Sequence, residues 1–580
     1  MLRAAQLGGG AAVTGQAKAA RPRSATRRIG VAAALGLLTT LLLALGHRQV
    51  GYVRDEGIYF EASRHYAAWV MDVVERPSRL ADRKRRDRAF RVNHEHPALL
   101  KLAAGLSARL FATPPIAQAL DDTDSVHAST PGVFPVMPEG AAMRLPAQLI
   151  AGLGVALLYW VGAARAGPVA GLLAAGSFIA LPRVWFHAGL HCFDVPVAVA
   201  GLGLVLTYRR ALSSPRAAWW LGPVSGLAIA TKHNALFAVA LCAAHYYAAL
   251  AWRWWHHRGA IDRQQLCPLP IVALTVVGPL VSLALWPWLW SAPWDRFADY
   301  LAFHRAHDYY NIAYLGANYN RPPLPVSYPF VMTWATVPTA TLLLATAGLV
   351  VGILRDRSPA TTRPVKAKWA RPFDDHAPWL GRLTLVFAVF PLIVIAWPTI
   401  PIFGGTKHWL TAYPFLALAC AEAWHWLRST APRRIRAWLP AVAAASLVPS
   451  LWATIHGHPH NLSQYAPLVG GARGAANDGH CRGFWGAANV PLLRALPREP
   501  GGVSLHDMHA LSAEQAARDG VWPDGHRARP LSRADEALFF PELHMQSHEL
   551  QIWQRLGTRR PSQVLTLDDV PLGVRYSRPE

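Results

Sequence analysis

Apolar runs close to the roughly 20 residues needed to cross a bilayer recur along this chain. The first extends from about Ile29 to Gly46. A long polar excursion over 47–140 follows. Further runs fall near 145–163, 167–182, 193–207, 219–231, 235–252, 270–290, 330–354, 382–398, 408–426 and 437–455. The pattern predicts an all-α polytopic membrane protein of about eleven spans. Inside the excursion, Ile58, Ala62, His65, Trp69 and Val73 share one face of a helix over Gly57–Val74, and Leu99–Phe111 reads as a second helix. Both are expected to lie flat at the membrane interface. The segment 113–140 is rich in Pro, Asp, Thr and Ser and reads as an irregular connector. Its Asp121-Asp122-Thr123-Asp124 run reads as a solvated acidic loop rather than a metal–nucleotide motif.

After about residue 456 the pattern changes. Val503-Ser504-Leu505 predicts a short strand, and Ala510–Asp519 and Glu549–Leu556 predict helices. Val564–Leu567 and Val574–Tyr576 predict a hairpin across Asp568–Gly573. The expected division is a cytoplasmic basic tail (1–28), a transmembrane domain that includes the loop 47–140 (29–455), and a small extracytoplasmic α/β domain (456–580). No internal repeat is visible.

The loops orient these spans, because cytoplasmic connections carry excess Lys and Arg. Arg21, Arg23, Arg27 and Arg28 hold the N-terminus inside. Arg165, then Arg209, Arg210 and Arg216, then Arg253 to Arg263, Arg355 to Arg371 and Arg428 to Arg436 mark alternate loops as inside. Most intervening loops carry fewer: Arg183 near 183–192, Lys232 near 232–234 and Lys407 near 399–407. An odd number of spans then leaves the C-terminus outside. The run Arg83-Lys84-Arg85-Arg86 with Arg88 and Arg91 breaks the trend, but long loops translocate largely regardless of charge. It reads either as a solvated basic turn or as a cationic rim for phosphate or anionic lipid.

Composition agrees with this picture. Of 580 residues, 52% are hydrophobic and 16% charged, and there are 24 Trp, which suits aromatic belts at two interfaces. The net charge of +23 is distributed in short runs between apolar segments, so it marks topology rather than a nucleic-acid face. An Ala-, Arg- and Leu-rich chain suits a bacterium of high genomic GC, which would place the protein in an inner membrane. Of the five cysteines, Cys242, Cys267 and Cys420 sit in or beside apolar runs. Cys192 and Cys481 could both face the oxidising side, where a disulfide is feasible.

Charged groups at a membrane edge are costly and by default functional. Arg54, Asp55 and Glu56 follow the first span. His94, Glu95, His96 and Lys101 lie further along the same loop. His187, His191 and Asp194, then Lys232 and His233, then Lys407 and His408 stand at the outer ends of later spans. With the topology above they ring one cavity. A carboxylate there could take a proton from an acceptor hydroxyl, and cations could neutralise a departing phosphate. Asp55 and Glu56 could also cap the helix that follows, and Asp194 could simply open another. His187 and His191, spaced i, i+4, could share a metal with Asp194, although interface histidines without metal account for the spacing equally. These residue types allow a divalent metal but do not require a cofactor.

The Asp55-Glu56 pair after the first span, the run His96-Pro97-Ala98-Leu99-Leu100-Lys101-Leu102 and the multispan core resemble the protein O-mannosyltransferase and aminoarabinose-transferase group. These are GT-C fold glycosyltransferases that use polyprenyl-phosphate sugars. The segments around His191–Pro196, Thr231–Asn234, Gly405–Pro414 and Asn461–Gly471 resemble the group as well, so the likeness covers about 50–485. It departs at Ala98, where a second proline is common, and the tail after about 490 matches none of the better-known members.

The resemblance implies Asp55 as catalytic base with Glu56 beside it. Arg54, His96, Lys101, Lys232, His233, Lys407 and His408 are expected about the donor phosphate, and His94, Glu95, His191 and Asp194 elsewhere in the cavity. The donor implied is a polyprenyl-phosphate-linked sugar, transferred with inversion to a protein, lipid or glycan hydroxyl. A transporter is the alternative, but transporters place charge near the midplane on repeated, broken helices. Here it gathers at one face.

Overall fold

The computed structural model describes residues 22–115, 131–257, 261–355, 369, 379–523 and 525–579. The Asp121–Asp124 run, Arg21 and most of the basic loop 355–371 lie outside the described residues.

A helix occupies every position where a span is expected. They are α1 (Pro22–Gly46), α5 (Glu139–Ala166), α6 (Pro168–Ile179), α8 (Asp194–Ala211), α9 (Pro215–Ile229), α10 (Ala235–His257), α11 (Arg263–Ala284), α14 (Thr339–Arg355), α15 (Trp379–Ile395), α16 (Tyr413–Thr430) and α17 (Leu439–Gly457). By length and apolarity, five of them can each cross a membrane: α1, α5, α10, α11 and α17. The others are shorter. Two expected spans are broken at prolines, which cannot continue a helical ladder. Helix α6 turns by 75° into α7 (Pro182–Ala188), and the run at 330–354 divides at Val337-Pro338 into α13 (Tyr328–Thr336) and α14.

Helices α1 and α5 pack through small residues, as membrane helices do where backbones must approach closely. A Cβ on Gly36 would stand 2.8 Å from the Gly152 carbonyl. Leu37, Leu38, Leu41, Leu42 and Leu45 of α1 face outward and uncovered, as lipid-facing positions should. The bundle interior is built from Leu, Val, Ala and aromatic side chains of α5 to α17.

The excursion folds into α2 (Arg54–Glu75), α3 (Arg83–Ala89) and α4 (Leu99–Phe111). The expectation that α2 lies flat with one buried stripe is corrected. Its first three turns are covered on several sides, burying Glu56, Tyr59, Phe60, Ser63, Tyr66 and Ala67 besides Ala62 and Trp69. The cause is tertiary: α4 crosses it on one side, and α18 (Ala510–Arg518) of the C-terminal region closes over its N-terminus. Within the basic run Arg85 pairs with Asp72 at 2.6 Å, while Asp87 is taken up by Arg296 of α12 (Pro293–Arg305) at 2.8 Å. After α12, strands β1 (Ile312–Tyr314) and β2 (Ala317–Tyr319) form a small antiparallel hairpin.

The C-terminal region is α/β. Its sheet contains β3 (Gly502–Leu505), β4 (Arg527–Ala528), β5 (Glu536–Phe539), β6 (Gln563–Leu567) and β7 (Val570–Ser577), in the order β4-β3-β5-β7-β6. β3 runs parallel to β4 and β5, and β7 is antiparallel to β5 and β6. Helix α19 (Gln546–Leu556) packs on β5 and β7 with α18 elsewhere on the domain. The hairpin turn is tighter than expected: Asp568 and Asp569 alone connect the strands, both at positive φ. All five cysteines are free thiols.

Candidate active site

A cavity of about 530 Å³ opens where the N-terminal ends of α2, α8 and α10 meet the C-terminal end of α15. Its polar wall comes from helix starts and loops, since the chain can place charge only where spans end. Asp55 stands in the first turn of α2, Asp194 opens α8, and Lys232 and His233 precede α10. Lys407 and His408 follow the loop after α15, and Glu95 and His96 lie on the turn before α4. Carboxylates at the starts of α2 and α8 also complement the helix dipoles. Beyond the charges the wall turns apolar. Phe237 and Leu241 come from α10, Phe387, Phe390 and Val394 from α15, and Phe415 from α16. Phe237 and Phe390 face each other across 5.6 Å between ring centres.

The charges are paired across elements. Lys407 Nζ lies 3.4 Å from Asp55 Oδ2, and Lys232 Nζ donates to Asp194 Oδ1 at 2.7 Å. Gly404 and Gly405, both at positive φ, turn the loop back so tightly that a Cβ on Gly404 would meet Lys407 Cε at 2.8 Å. The Lys407 ammonium sits 3.7 Å from the centre of the Trp485 ring. Burial pulls its pKa down, against the pull of Asp55 and Asp194. Asp55 keeps 26% of its side chain exposed while Lys407 keeps 5%, so the carboxylate is the more accessible partner.

Imidazoles extend this polar wall: the His233 and His304 rings lie 4.0 Å apart, tilted by 39°, and His96 lies 5.8 Å from His304. Burial lowers all three, with neighbouring cations adding to the effect; His304 falls to about 4. They therefore stand neutral at pH 7. His408 Nε2 is held against the Phe403 backbone.

Four of the expected site residues lie outside the cavity lining. Glu56 is fully buried. It accepts from Arg144 Nε at 2.8 Å, from Arg144 Nη2 at 2.6 Å and from the His191 amide at 2.8 Å. Arg144 in turn donates to the carbonyls of His47, Val50 and Gly51, so the pair clamps the link between α1 and α2. Lys101, expected about the phosphate, is corrected to an internal staple: its ammonium is held by the Asn93 carbonyl, Asn93 Oδ1 and the His96 carbonyl. Burial pulls its pKa down to about 7. It fixes the Asn93–His96 turn, where Asn93 has positive φ, and so presents Glu95 and His96. His191 is turned behind α2, with Nε2 3.0 Å from Ser63 Oγ and its ring stacked on Phe60. His94 packs outward on Trp288. His187 lies 3.9 Å from Asp194, but His191 points elsewhere. Among the described residues no group of three or more His, Cys, Asp or Glu is arranged to hold a metal ion.

Sequence reasoning missed Arg144, Trp485, His304, His307 and Tyr310. The aromatic and histidine-rich stretch Phe303–Tyr310 carried the signal, since it lies between two spans. Arg144 gave none, because a single basic residue ahead of a span reads as an anchor.

No protein-family model and no curated protein matches the sequence. Among solved structures, the chain is similar to ArnT from Cupriavidus metallidurans bound to undecaprenyl phosphate: TM-score 0.45, 14% identity, 95% of this chain and 98% of that one covered. The apo form of the same protein gives 0.45 at 15% identity over the same shares. The oligosaccharyltransferase of Archaeoglobus fulgidus gives 0.45 at 10% identity over 88% of this chain and 65% of its own.

Proposed function

We propose that the chain is a membrane glycosyltransferase that moves a sugar from a polyprenyl-phosphate donor to an acceptor hydroxyl on the extracytoplasmic face. The observation that carries this reading is the two-part cavity. Its polar wall holds two carboxylate–ammonium pairs, Asp55 with Lys407 and Asp194 with Lys232, and its apolar wall lies between α10 and α15. A donor with a phosphate head and a hydrocarbon tail matches that division, because the head needs charge and donors while the tail needs a surface without them. The order of segments that resembles the polyprenyl-phosphate-sugar transferases supports the same reading.

In the proposed reaction, Asp55 takes the proton from the acceptor hydroxyl. The oxygen attacks the anomeric carbon on the face opposite the phosphate, the bond from that carbon to the phosphate oxygen breaks, and the lipid phosphate leaves with the electron pair. Inversion follows from the single displacement. Lys407 and Lys232 neutralise the charge that develops on the leaving group, with His96, His233 and His408 as further donors. Arg54 stands at the mouth beside Asp55, with its guanidinium 5.5 Å from the Tyr310 ring centre.

The test uses purified protein and a labelled polyprenyl-phosphate sugar. Wild type should release the lipid phosphate and label an acceptor, while Asp55→Asn should lose about 100-fold or more of the rate with donor binding retained. Full activity in Asp55→Asn would remove the base assignment. No transfer from any lipid-linked sugar by folded wild type would remove the enzyme reading.

A further inference from the structure

The residue before the proposed base is held by a side chain from the far end of the sequence. Arg54 Nη1 donates to Asp507 Oδ1 at 2.9 Å, and Arg54 Nε lies 3.9 Å from Asp55 Oδ1 on the other side. One guanidinium thus bridges Asp55 and a carboxylate more than 450 residues away. Asp507 sits on the loop between β3 and α18 at positive φ (54°). Its backbone is tied in place: a Cβ on Gly486 would stand 2.5 Å from the Asp507 carbonyl, so that glycine is needed for the approach.

The next turn of the same region continues the grip. Ser512 Oγ lies 2.9 Å from the Val53 carbonyl and 3.1 Å from that of Arg54, and it accepts from the Gly57 amide at 3.1 Å. The first turn of α2 is therefore framed by α18, and Gly57 has no room for a side chain: a Cβ there would meet the Ser512 amide at 2.3 Å. Glu542, from a third loop, stands near Asp507 and Arg54. Burial, then Asp507, pushes its pKa up to about 8, and burial raises Asp507 as well, against the pull of the Arg54 guanidinium.

We infer that Asp507 is a positioning residue for the transfer: it holds the Arg54 guanidinium to its own side and so leaves the neighbouring Asp55 carboxylate aimed into the cavity. The C-terminal α/β region is on this account part of the catalytic arrangement rather than an appended module. The inference rests on the role of Asp55 proposed above. Asp55 already faces Lys407 Nζ at 3.4 Å; without the Asp507 carboxylate, Arg54 would turn to Asp55 as a second cation, stabilise its ionised form and lower its affinity for the acceptor proton.

Asp507→Asn and Asp507→Glu are compared with wild type. In Asp507→Asn, kcat should fall about 10- to 100-fold while KM for the lipid donor stays within about two-fold. The acidic limb of the kcat–pH profile should move to lower pH. Asp507→Glu should restore both. A change in KM alone, or an unmoved acidic limb with normal kcat, overturns the inference while leaving the transfer reaction intact. A second readout is independent of activity. The pH midpoint for modification of Asp55 by a water-soluble carbodiimide, followed by mass spectrometry of the intact membrane protein, should move down in Asp507→Asn and not in Asp507→Glu. An unchanged midpoint overturns the inference even if wild type transfers no sugar.

Discussion

At the scale of single residues, neighbours in sequence have separate tasks. Asp55 faces a cavity, whereas Glu56, one position on, is sealed against Arg144. The reason is the helical turn of about 100° per residue, which sends adjacent side chains to different surroundings. The Glu56–Arg144 pair has no exposed surface on Glu56 and 3% on Arg144. Removing one member of such a pair leaves an uncompensated buried charge, which costs about 3–5 kcal/mol. Arg144→Ala should therefore lower the thermal unfolding midpoint in detergent far more than Lys407→Ala does, as static light scattering or intrinsic Trp fluorescence would record. Lys101 and His191 show the same divergence between type and role. Their spacing marks them as polar groups near the membrane edge, but only the fold shows that one staples a turn and the other backs α2.

At the scale of elements, the site depends on how closely α4 crosses α2. A Cβ on Gly105 would stand 2.1 Å from the Ser63 carbonyl and 2.7 Å from the Ala67 Cβ. Lys101 lies one turn earlier on α4 and holds the Asn93–His96 turn, so a change in the crossing reaches the cavity wall. Gly105→Val should push the helices apart at a cost of at least about 1–3 kcal/mol. It should also reduce transfer, and both effects can be read from one preparation by melting and by donor turnover. The helices themselves were legible from their periodicity. Their crossing was not, because a glycine in an apolar helix carries no label for the partner it admits. The breaks at Pro182 and Pro338 were not read from the sequence, since proline inside a membrane helix is tolerated when neighbours satisfy the freed backbone groups.

At the scale of the whole molecule, the C-terminal region docks on the base of the excursion through buried polar contacts. The Tyr52 hydroxyl donates to Asp519, which also accepts from the Gly140 amide at 3.0 Å, and Arg518 Nε donates to Glu139 at 2.9 Å. Burial pushes the Asp519 pKa up to about 6, from 3.8 in a free side chain. An acid whose folded pKa is raised binds its proton more tightly when folded, so the contribution of Asp519 to stability is greatest below about pH 4. It falls as pH rises towards about 6 and is level beyond. The difference in unfolding midpoint between wild type and Asp519→Asn, which carries no titrating proton, should follow this course. A wild-type profile that rises between pH 4 and 6, with Asp519→Asn unchanged from it, would contradict the assignment.

The sequence alone determined where helices form, which residues could bear charge at their ends, and that a distinct α/β unit closes the chain. These follow from local periodicity and from the cost of placing polar groups in hydrocarbon, neither of which requires knowing the neighbours. The tertiary structure decided which of those charges share a cavity, which serve as buried braces, and that Asp507 and Ser512 reach back to the first turn of α2. Those outcomes depend on contacts between residues hundreds of positions apart. Such contacts are selected by shape and by pairing of charge in the folded state, and no spacing along the chain records them.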